Sequence, residues 1–271
     1  VTALLEVTGL RKSFGGRRGL VGTRKAAAPA VHDVAFTIEA GRSLALVGES
    51  GAGKSTVGRL VLRLIEPDAG TIRFDGVDVR ALGSRELRGL RRRMQMIFQD
   101  PFSALDPRMS IAEAVAEPLA IHQRLGRADR DRRAAALLDR VGIGGRYLER
   151  FPAELSGGQL QRVAIARALT VEPALIVCDE PVAALDVSVQ AQVLNLMQEL
   201  QDELGLSYLF ITHDLALVEV IADRVAVMSA GTIVEEGPVN DVFANPRQEY
   251  TRQLLSAIPI PVPRSSRIST A

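Results

Sequence analysis

The stretch Leu44-Ala45-Leu46-Val47-Gly48-Glu49-Ser50-Gly51-Ala52-Gly53-Lys54-Ser55-Thr56 decides how the rest of the chain reads. Four apolar residues in a row that end in glycine suit a strand buried on both faces. Gly48 to Ser55 then takes the G-x-x-x-x-G-K-[ST] form of a phosphate-binding loop. Beyond it, Val57, Leu60, Val61 and Leu64 fall at i, i+3, i+4 and i+7, one face of a helix that has to stop before Pro67. Strand, glycine loop and helix are the context in which that motif has physical meaning. Backbone N–H groups from Gly48 to Ser55 would wrap phosphate oxygens, aided by the following helix N-terminus. Lys54 would bring a point charge to the same oxygens, and the Ser55 hydroxyl would bind Mg2+.

Working outward, Leu4 to Leu10 and Val31 to Ile38 read as strands, and Gly70 to Gly76 as a further strand between turns. Together they predict a small antiparallel sheet. A basic loop rich in glycine and alanine, from Gly15 to Pro29, separates the first two. From Gln99 to about Phe151 the pattern turns helical, most clearly at Ile111 to Val115 and Ala134 to Val141. Strand signals return at Leu175 to Cys178, Ser207 to Thr212 and Arg224 to Met228, with helices between the first two and between the last two. Such alternation argues for a parallel sheet. There is no internal repeat. The tail through Ile258-Pro259-Ile260-Pro261-Val262-Pro263 reads as extended.

Composition narrows the function classes. Of 271 residues, 47% are apolar and 24% charged, ordinary values for a soluble globular protein. No apolar run approaches the roughly 18 residues of a membrane helix. Val1 to Glu6 lacks the basic flank and apolar stretch of a signal peptide, so a cytosolic location is expected. Cys178 is the single cysteine, which excludes a disulfide framework and a cysteine-ligated metal site within the chain. His32, His122 and His213 lie far apart in sequence, so zinc has no support. A net charge of +1 gives no electrostatic case for nucleic acid as the main partner. Arg88, Arg91, Arg92 and Arg93 form a basic cluster, read as a solvated helix face. Lysine occurs only at positions 12, 25 and 54, yet one of the three sits in the phosphate loop, where a compact ammonium suits better than a planar fork.

Four further places bear on chemistry. Leu175 to Cys178 runs into Asp179 and Glu180; two acids at the end of an apolar strand are costly unless something offsets them. Taken alone they could be surface acids. Beside a phosphate loop they read as a Mg2+–ATP site, with Asp179 holding the metal and Glu180 facing the attacking water. As general base Glu180 would be worth about 10²–10⁴ in rate. Leu155-Ser156-Gly157-Gly158-Gln159 reads as a helix start, Ser156 being the N-cap of a helix that carries Leu160, Val163, Ala164 and Ala168. The two glycines leave its first N–H groups open to an anion, whereas capping alone explains the serine but neither the glycines nor Gln159. Gln99 and His213 each follow an apolar strand, and on their own read as a turn residue and a structural histidine.

The phosphate loop together with Leu155 to Gln159 resembles the ATPase subunits of ATP-binding-cassette (ABC) transporters, over essentially residues 4 to 258. In that family one subunit's phosphate loop faces its partner's glycine signature across a shared ATP. The resemblance implies an α/β fold: a P-loop NTPase (RecA-like) core of mainly parallel sheet, a small N-terminal antiparallel β subdomain and an inserted helical subdomain. As a single ABC ATPase domain, 1–98 and 166–258 would form the core with its antiparallel part, 99–165 the helical subdomain with the signature, and 259–271 an extended tail. ATP would be held by Gly48, Glu49, Ser50, Gly51, Ala52, Gly53, Lys54, Ser55 and Thr56, with Phe14 matching the adenine-stacking aromatic. Gln99 matches the switch glutamine that reaches Mg2+ and water, and His213 the histidine that contacts the γ-phosphate and orients Glu180's water. Mg2+ would thus be held by Ser55, Gln99 and Asp179. Ala184, Leu185 and Asp186 match the loop that crosses to the partner site; family members often carry serine at the position of Ala184, so that hydroxyl contact is lost.

Phe98 to Met109, Leu185 to Gln192, and Asn245-Pro246 through Tyr250-Thr251 to Pro259 resemble the oligopeptide/dipeptide importer branch. Some of its members carry a C-terminal cysteine cluster; this sequence has none, so no iron–sulfur site is expected. The resemblance implies an ATPase on the cytoplasmic face of the inner membrane. It would pair with a like or identical ATPase, dock on two permease subunits and import peptides or related solutes delivered by an extracytoplasmic binding protein, with no nucleic acid involved. An ABC ATPase without a permease, acting on nucleic acid or ribosomes, is the alternative. A P-loop kinase or GTPase would not need Leu155 to Gln159.

Overall fold

Leu44 to Val47 form most of strand β3 (Ser43–Val47), every residue of which is buried. In the computed structural model, which describes residues 3–15, 29–123 and 125–257, this strand lies inside a six-stranded sheet. Its neighbours are β8 (Ser207–Thr212) and β9 (Arg224–Ser229), both parallel to it. Outward from β8 come β7 (Leu175–Asp179) and β6 (Met94–Ile97), again parallel. At the other edge β10 (Thr232–Pro238) pairs antiparallel with β9. The expected parallel sheet is therefore present, with one antiparallel edge strand.

The strands explain their own apolar runs. Ala45, Val47, Ile176, Cys178, Tyr208, Phe210, Val225 and Val227 pack on one face, and Leu44, Leu46, Leu175, Val177, Leu209, Ile211, Ala226 and Met228 on the other. Because both faces are covered, no polar alternation is required. The first face meets α3 (Ile111–His122), α4 (Arg127–Arg140), α5 (Gly157–Leu169), α6 (Val187–Leu204), α7 (Leu215–Ile221) and α8 (Val239–Ala244). The second meets α1 (Lys54–Val61), α2 (Ser84–Leu90) and the antiparallel sheet β2-β1-β4-β5. In that sheet β1 is Ala3–Ser13, β2 Pro29–Glu39, β4 Ala69–Phe74 and β5 Val77–Asp78.

Several expectations need adjustment. Helix α1 ends at Val61, and Leu64 is an exposed residue outside it. Arg63 has a left-handed backbone (φ 48°), which ends the helix before Leu64 can join its apolar face. The proposed boundary between 165 and 166 falls inside α5, a continuous helix that packs against α3 and α4 as well as α6 and β6. One apolar core thus runs from the helical segment into the sheet. The arginine cluster is not a free basic face: Arg91 donates to the Arg63 carbonyl and Arg93 pairs with Asp75. Most of the basic loop (16–28) and the proline-rich tail from 258 onward lie outside the described residues.

Candidate active site

Parallel sheets gather functional loops at the carboxyl ends of their strands. Here β3, β8, β7 and β6 are consecutive neighbours, so the residues that follow them converge: the phosphate loop after β3, His213 after β8, Asp179 and Glu180 at the end of β7, and Gln99 just beyond β6. A cavity of about 580 Å³ opens there. Its walls include Gly48, Glu49, Ser50, Gly51, Gly53, Lys54, Ser55 and Thr56 from the loop, and Gln99, Glu180 and His213 opposite them. Ala52 is buried behind the loop.

Glycine is dictated at both ends of the loop. Gly48 has φ 147°, and a Cβ there would sit 2.1 Å from the Met228 carbonyl oxygen. At Gly53, the N-cap of α1, φ is 102° and a Cβ would lie 2.2 Å from the Ala30 carbonyl oxygen. The loop is thus turned tightly against the backbone of β9 and β2, with the first turn of α1 behind it. Helix starts leave N–H groups without intrahelical partners, and these suit an anion. Two N–H groups expected to face phosphate are engaged within the protein instead. Ala52 N–H donates to the Glu49 carbonyl (3.2 Å), and Glu49 N–H donates to the Tyr250 hydroxyl (3.1 Å).

Lys54 is 5% exposed, and its Nζ donates to the carbonyls of Gly48 (2.7 Å) and Glu49 (2.9 Å). Burial lowers its pKa from the ordinary lysine value, while the nearby carboxylates of Glu180 and Asp179 oppose that shift. Ser55 Oγ donates to Asp179 Oδ1 at 2.7 Å. Burial raises the Asp179 pKa; the Ser55 hydrogen bond and the charges of Arg59 and Lys54 pull the other way.

Glu180 is the centre of the far wall. Its backbone is left-handed (φ 49°), its N–H donates to the Ile211 carbonyl, and this turn ends β7 directly after Asp179. Such strain in a non-glycine residue is concentrated at functional sites. The carboxylate accepts from Gln99 Nε2 at 2.8 Å, and its other oxygen lies 2.9 Å from His213 Nδ1. An ionised carboxylate only accepts, so Nδ1 carries the proton in that pair. Each oxygen keeps lone pairs for a water. Asp214, next to His213, caps α7 through Ala216 N–H and holds the strand end in place.

Leu155 to Gln159 do not line this cavity. Ser156 caps α5 as expected: its Oγ accepts from Gln159 N–H (3.4 Å), while its own N–H donates to Gln159 Oε1 (2.9 Å). Gln159 is therefore explained as the return half of a capping box. Gly158 is explained by packing, since a Cβ would sit 2.4 Å from Val189 Cγ1 on α6. Capping thus does account for Gln159, contrary to expectation, and packing accounts for Gly158, so neither residue requires an anion. Gly157 stays exposed, beside the Leu185 side chain. Ala184 and Asp186 are exposed next to it, with Asp186 capping α6 through Val189 N–H. Hydrogen bonds from the Val189 N–H and the Ser188 hydroxyl hold the Asp186 carboxyl below its usual range. Phe14 does not line the cavity; it stands half exposed with Lys12 Nζ 5.8 Å from its ring centre.

The sequence reading missed the contribution of the C-terminal helix α9 (Glu249–Ser256), which brings Tyr250 to the loop and Leu254 to the cavity wall. The only signal was the spacing of Tyr250, Thr251, Leu254 and Leu255 on one helix face.

A phosphate loop, a strand-end acid pair and a glutamine and histidine that meet on the second acid define an ATPase of the cassette type. The chain belongs to the ABC transporter family, whose model matches residues 31–183. It is 48% identical to a probable peptide ABC transporter ATP-binding protein of Sinorhizobium fredii, over 98% of this chain and 75% of the relative. It is 49% identical to the oligopeptide transport ATP-binding protein OppF of Bacillus subtilis, over 97% of this chain and 85% of that one. Among solved structures, the cassette MJ0796, dimeric in a post-hydrolysis state with ADP and Pi bound, matches with a TM-score of 0.76 at 28% identity. That match covers 87% of this chain and 98% of that one.

Proposed function

We propose that this chain is the ATP-hydrolysing subunit of an importer for peptides or related small solutes. It would work as one half of a pair of ATPases on the cytoplasmic side of two membrane permeases supplied by a binding protein. The observation that carries the catalytic part is the Glu180 carboxylate held between Gln99 and His213, facing the phosphate loop across one cavity. The names of the relatives in Sinorhizobium and Bacillus support the solute class, and the dimeric neighbour supports the pairing. Among the described residues no helix is long and apolar enough to cross a membrane, so transport would rest on partner subunits.

In this reading the loop N–H groups and Lys54 bind the β- and γ-phosphates. Lys54 leaves the Gly48 and Glu49 carbonyls to do so, an exchange of neutral acceptors for charged ones. Ser55 Oγ, Asp179 and Gln99 are hard oxygen donors of the type Mg2+ takes, and would hold it against the phosphates. When bound, the ion neutralises charge that builds up on the transferred group. Glu180 takes the proton of the attacking water, while Gln99 and His213 fix the direction of its carboxylate. Leu155 to Gln159, with Ala184 to Asp186 alongside, would close the partner's site. Ser156, Gly157, Ala184 and Asp186 are exposed beside Val187, itself 82% exposed, and leave that surface available to a second subunit. Phe14 would meet the adenine.

The test is reconstitution with the permeases and binding protein in vesicles. ATP hydrolysis should rise when peptide-loaded binding protein is added, and labelled peptide should accumulate. Hydrolysis that responds instead to nucleic acid or ribosomes would replace this reading with the permease-free alternative.

A further inference from the structure

We propose that Tyr250 is a positioning residue for the phosphate loop, acting through its hydroxyl on the Glu49 peptide. The proposal rests on the reading of that loop as the nucleotide site. Helix α9 lies outside residues 31–183, the part matched by the family model, yet it reaches the site. Two anchors put it there. At its start, Arg247 N–H (2.7 Å) and Gln248 N–H (3.1 Å) donate to the two carboxylate oxygens of Glu235 on β10. Along its length, Tyr250, Leu254 and Leu255 pack on the sheet-helix core, and Thr251 is fully buried. One face of α9 is thereby fixed, and from it the Tyr250 hydroxyl accepts the Glu49 N–H while Leu254 walls the cavity.

The Glu49 peptide is held from two sides. Tyr250 takes its N–H, and Lys54 Nζ donates to its carbonyl and to that of Gly48. Lys54 is also the residue that must turn toward phosphate. Once it does, both carbonyls lose that donor, and the Tyr250 hydroxyl remains as the side-chain tie on the residue after Gly48. A loop held in its binding shape spends less ordering free energy when the ligand arrives. Loss of the tie should therefore weaken binding of nucleotide and leave the chemical step alone, since the Tyr250 hydroxyl bonds to Glu49 N–H while Glu180 is held by Gln99 and His213.

Tyr250→Phe removes the hydroxyl and keeps the ring that packs on the core. With the full chain, Mg2+ and a fluorescent ribose-labelled ATP analogue, affinity should fall about 2- to 10-fold, the range of one neutral hydrogen bond. In the assembled transporter the KM for ATP should rise by the same factor with kcat unchanged. Hydrogen exchange of the Glu49 amide in the nucleotide-free chain should speed up, and the melting temperature should stay near wild type. Gln253→Ala, on the exposed side of α9, should match wild type throughout. Wild-type affinity and wild-type Glu49 exchange in Tyr250→Phe would overturn the proposal. So would a lower kcat and melting temperature with KM unchanged, the mark of a merely structural role. A wild-type chain that fails to bind the analogue would instead remove the phosphate-site reading itself, so the two failures are distinct.

Discussion

Gly158→Ala separates two explanations of the signature glycines. The added Cβ would lie 2.4 Å from Val189 Cγ1, with Val189 Cβ at 3.7 Å and Cγ2 at 3.9 Å. Ordinary carbon contacts sit at about 3.5–4.0 Å, so roughly an ångström of separation has to be found. Val189 cannot readily swing away, because a β-branched side chain in a helix holds one χ1 rotamer. The starts of α5 and α6 must move apart. Overpacking of this kind costs about 1–3 kcal/mol, of which the better helix propensity of alanine returns up to about 1. For a chain of this size a net loss of 1–2 kcal/mol corresponds to a melting shift of about 2–8 °C. Val189→Ala removes the clashing methyls, so the double variant should be more stable than the sum of the single effects by about 1–2 kcal/mol. Urea unfolding of all four proteins of the cycle measures this. Additive effects would refute the packing account. If stability returns in the double variant and ATPase activity of the assembled transporter returns with it, Gly158 serves packing and the open N–H groups suffice for the partner's phosphate. If stability returns and activity does not, the glycine is also needed by the ligand.

Glu180→Gln should keep binding of the ATP analogue but lower turnover of the assembled transporter by about 10²–10⁴, because water loses its base while the phosphate cradle survives; wild-type turnover would sink that role. Lys54→Ala should weaken binding as well as hydrolysis, by roughly 10- to 150-fold in affinity for one lost charge-assisted hydrogen bond. Equilibrium titration checks this, and unchanged affinity would mean that the loop is not the phosphate site. Ser156→Arg should leave a chain's own ATP binding intact yet block hydrolysis in the partner's site. Mixed with Lys54→Ala, it should restore part of the activity if two such chains pair, since one site then carries both faults and the other neither; a Ser156→Arg monomer as active as the wild-type assembly would refute a shared site.

How far the sequence could be read follows from what each feature depends on. The phosphate loop was legible because strand, glycines and helix are contiguous, and the positive φ at Gly48 and Gly53 asks for glycine there; the Met228 and Ala30 carbonyls that also exclude a Cβ belong to β9 and β2 and had no local signal. Strands β3, β7 and β8 were legible because burial on both faces forbids polar alternation. The convergence of Gln99, Glu180 and His213 was not derivable from spacing: it depends on β6, β7 and β8 lying side by side, a matter of strand order. Glu180's left-handed turn has no sequence signature at all, since glutamate is not a residue that seeks positive φ. The helix start at Ser156 was legible, whereas the reasons for reading Leu155 to Gln159 as an anion site only partly hold. Gln159 and Gly158 answer first to capping and to Val189, both invisible until α5 and α6 are packed together. Tyr250 was seen as a family marker and not as a neighbour of Glu49, because about two hundred residues and the whole sheet separate them in sequence.

The placement of these groups has a mechanical consequence. The residues proposed to bind phosphate and those proposed to direct water share one cavity but hang from different elements. The loop is fixed between β3 and α1, whereas Gln99 leaves β6 for the helical segment that begins at α3. The Gln99–Glu180 hydrogen bond therefore bridges the sheet and the chain leading to the helices. Leu155 to Gln159 end that same segment and open α5, which returns to the sheet beside β6. Gln99 and the start of α5 thus lie at the two ends of one segment. In the proposed function a single chain would hold phosphate and a directed water in this arrangement. Its own signature faces elsewhere, so closing the site over ATP would fall to a second chain, and the free energy of that closure would be available for work on a permease.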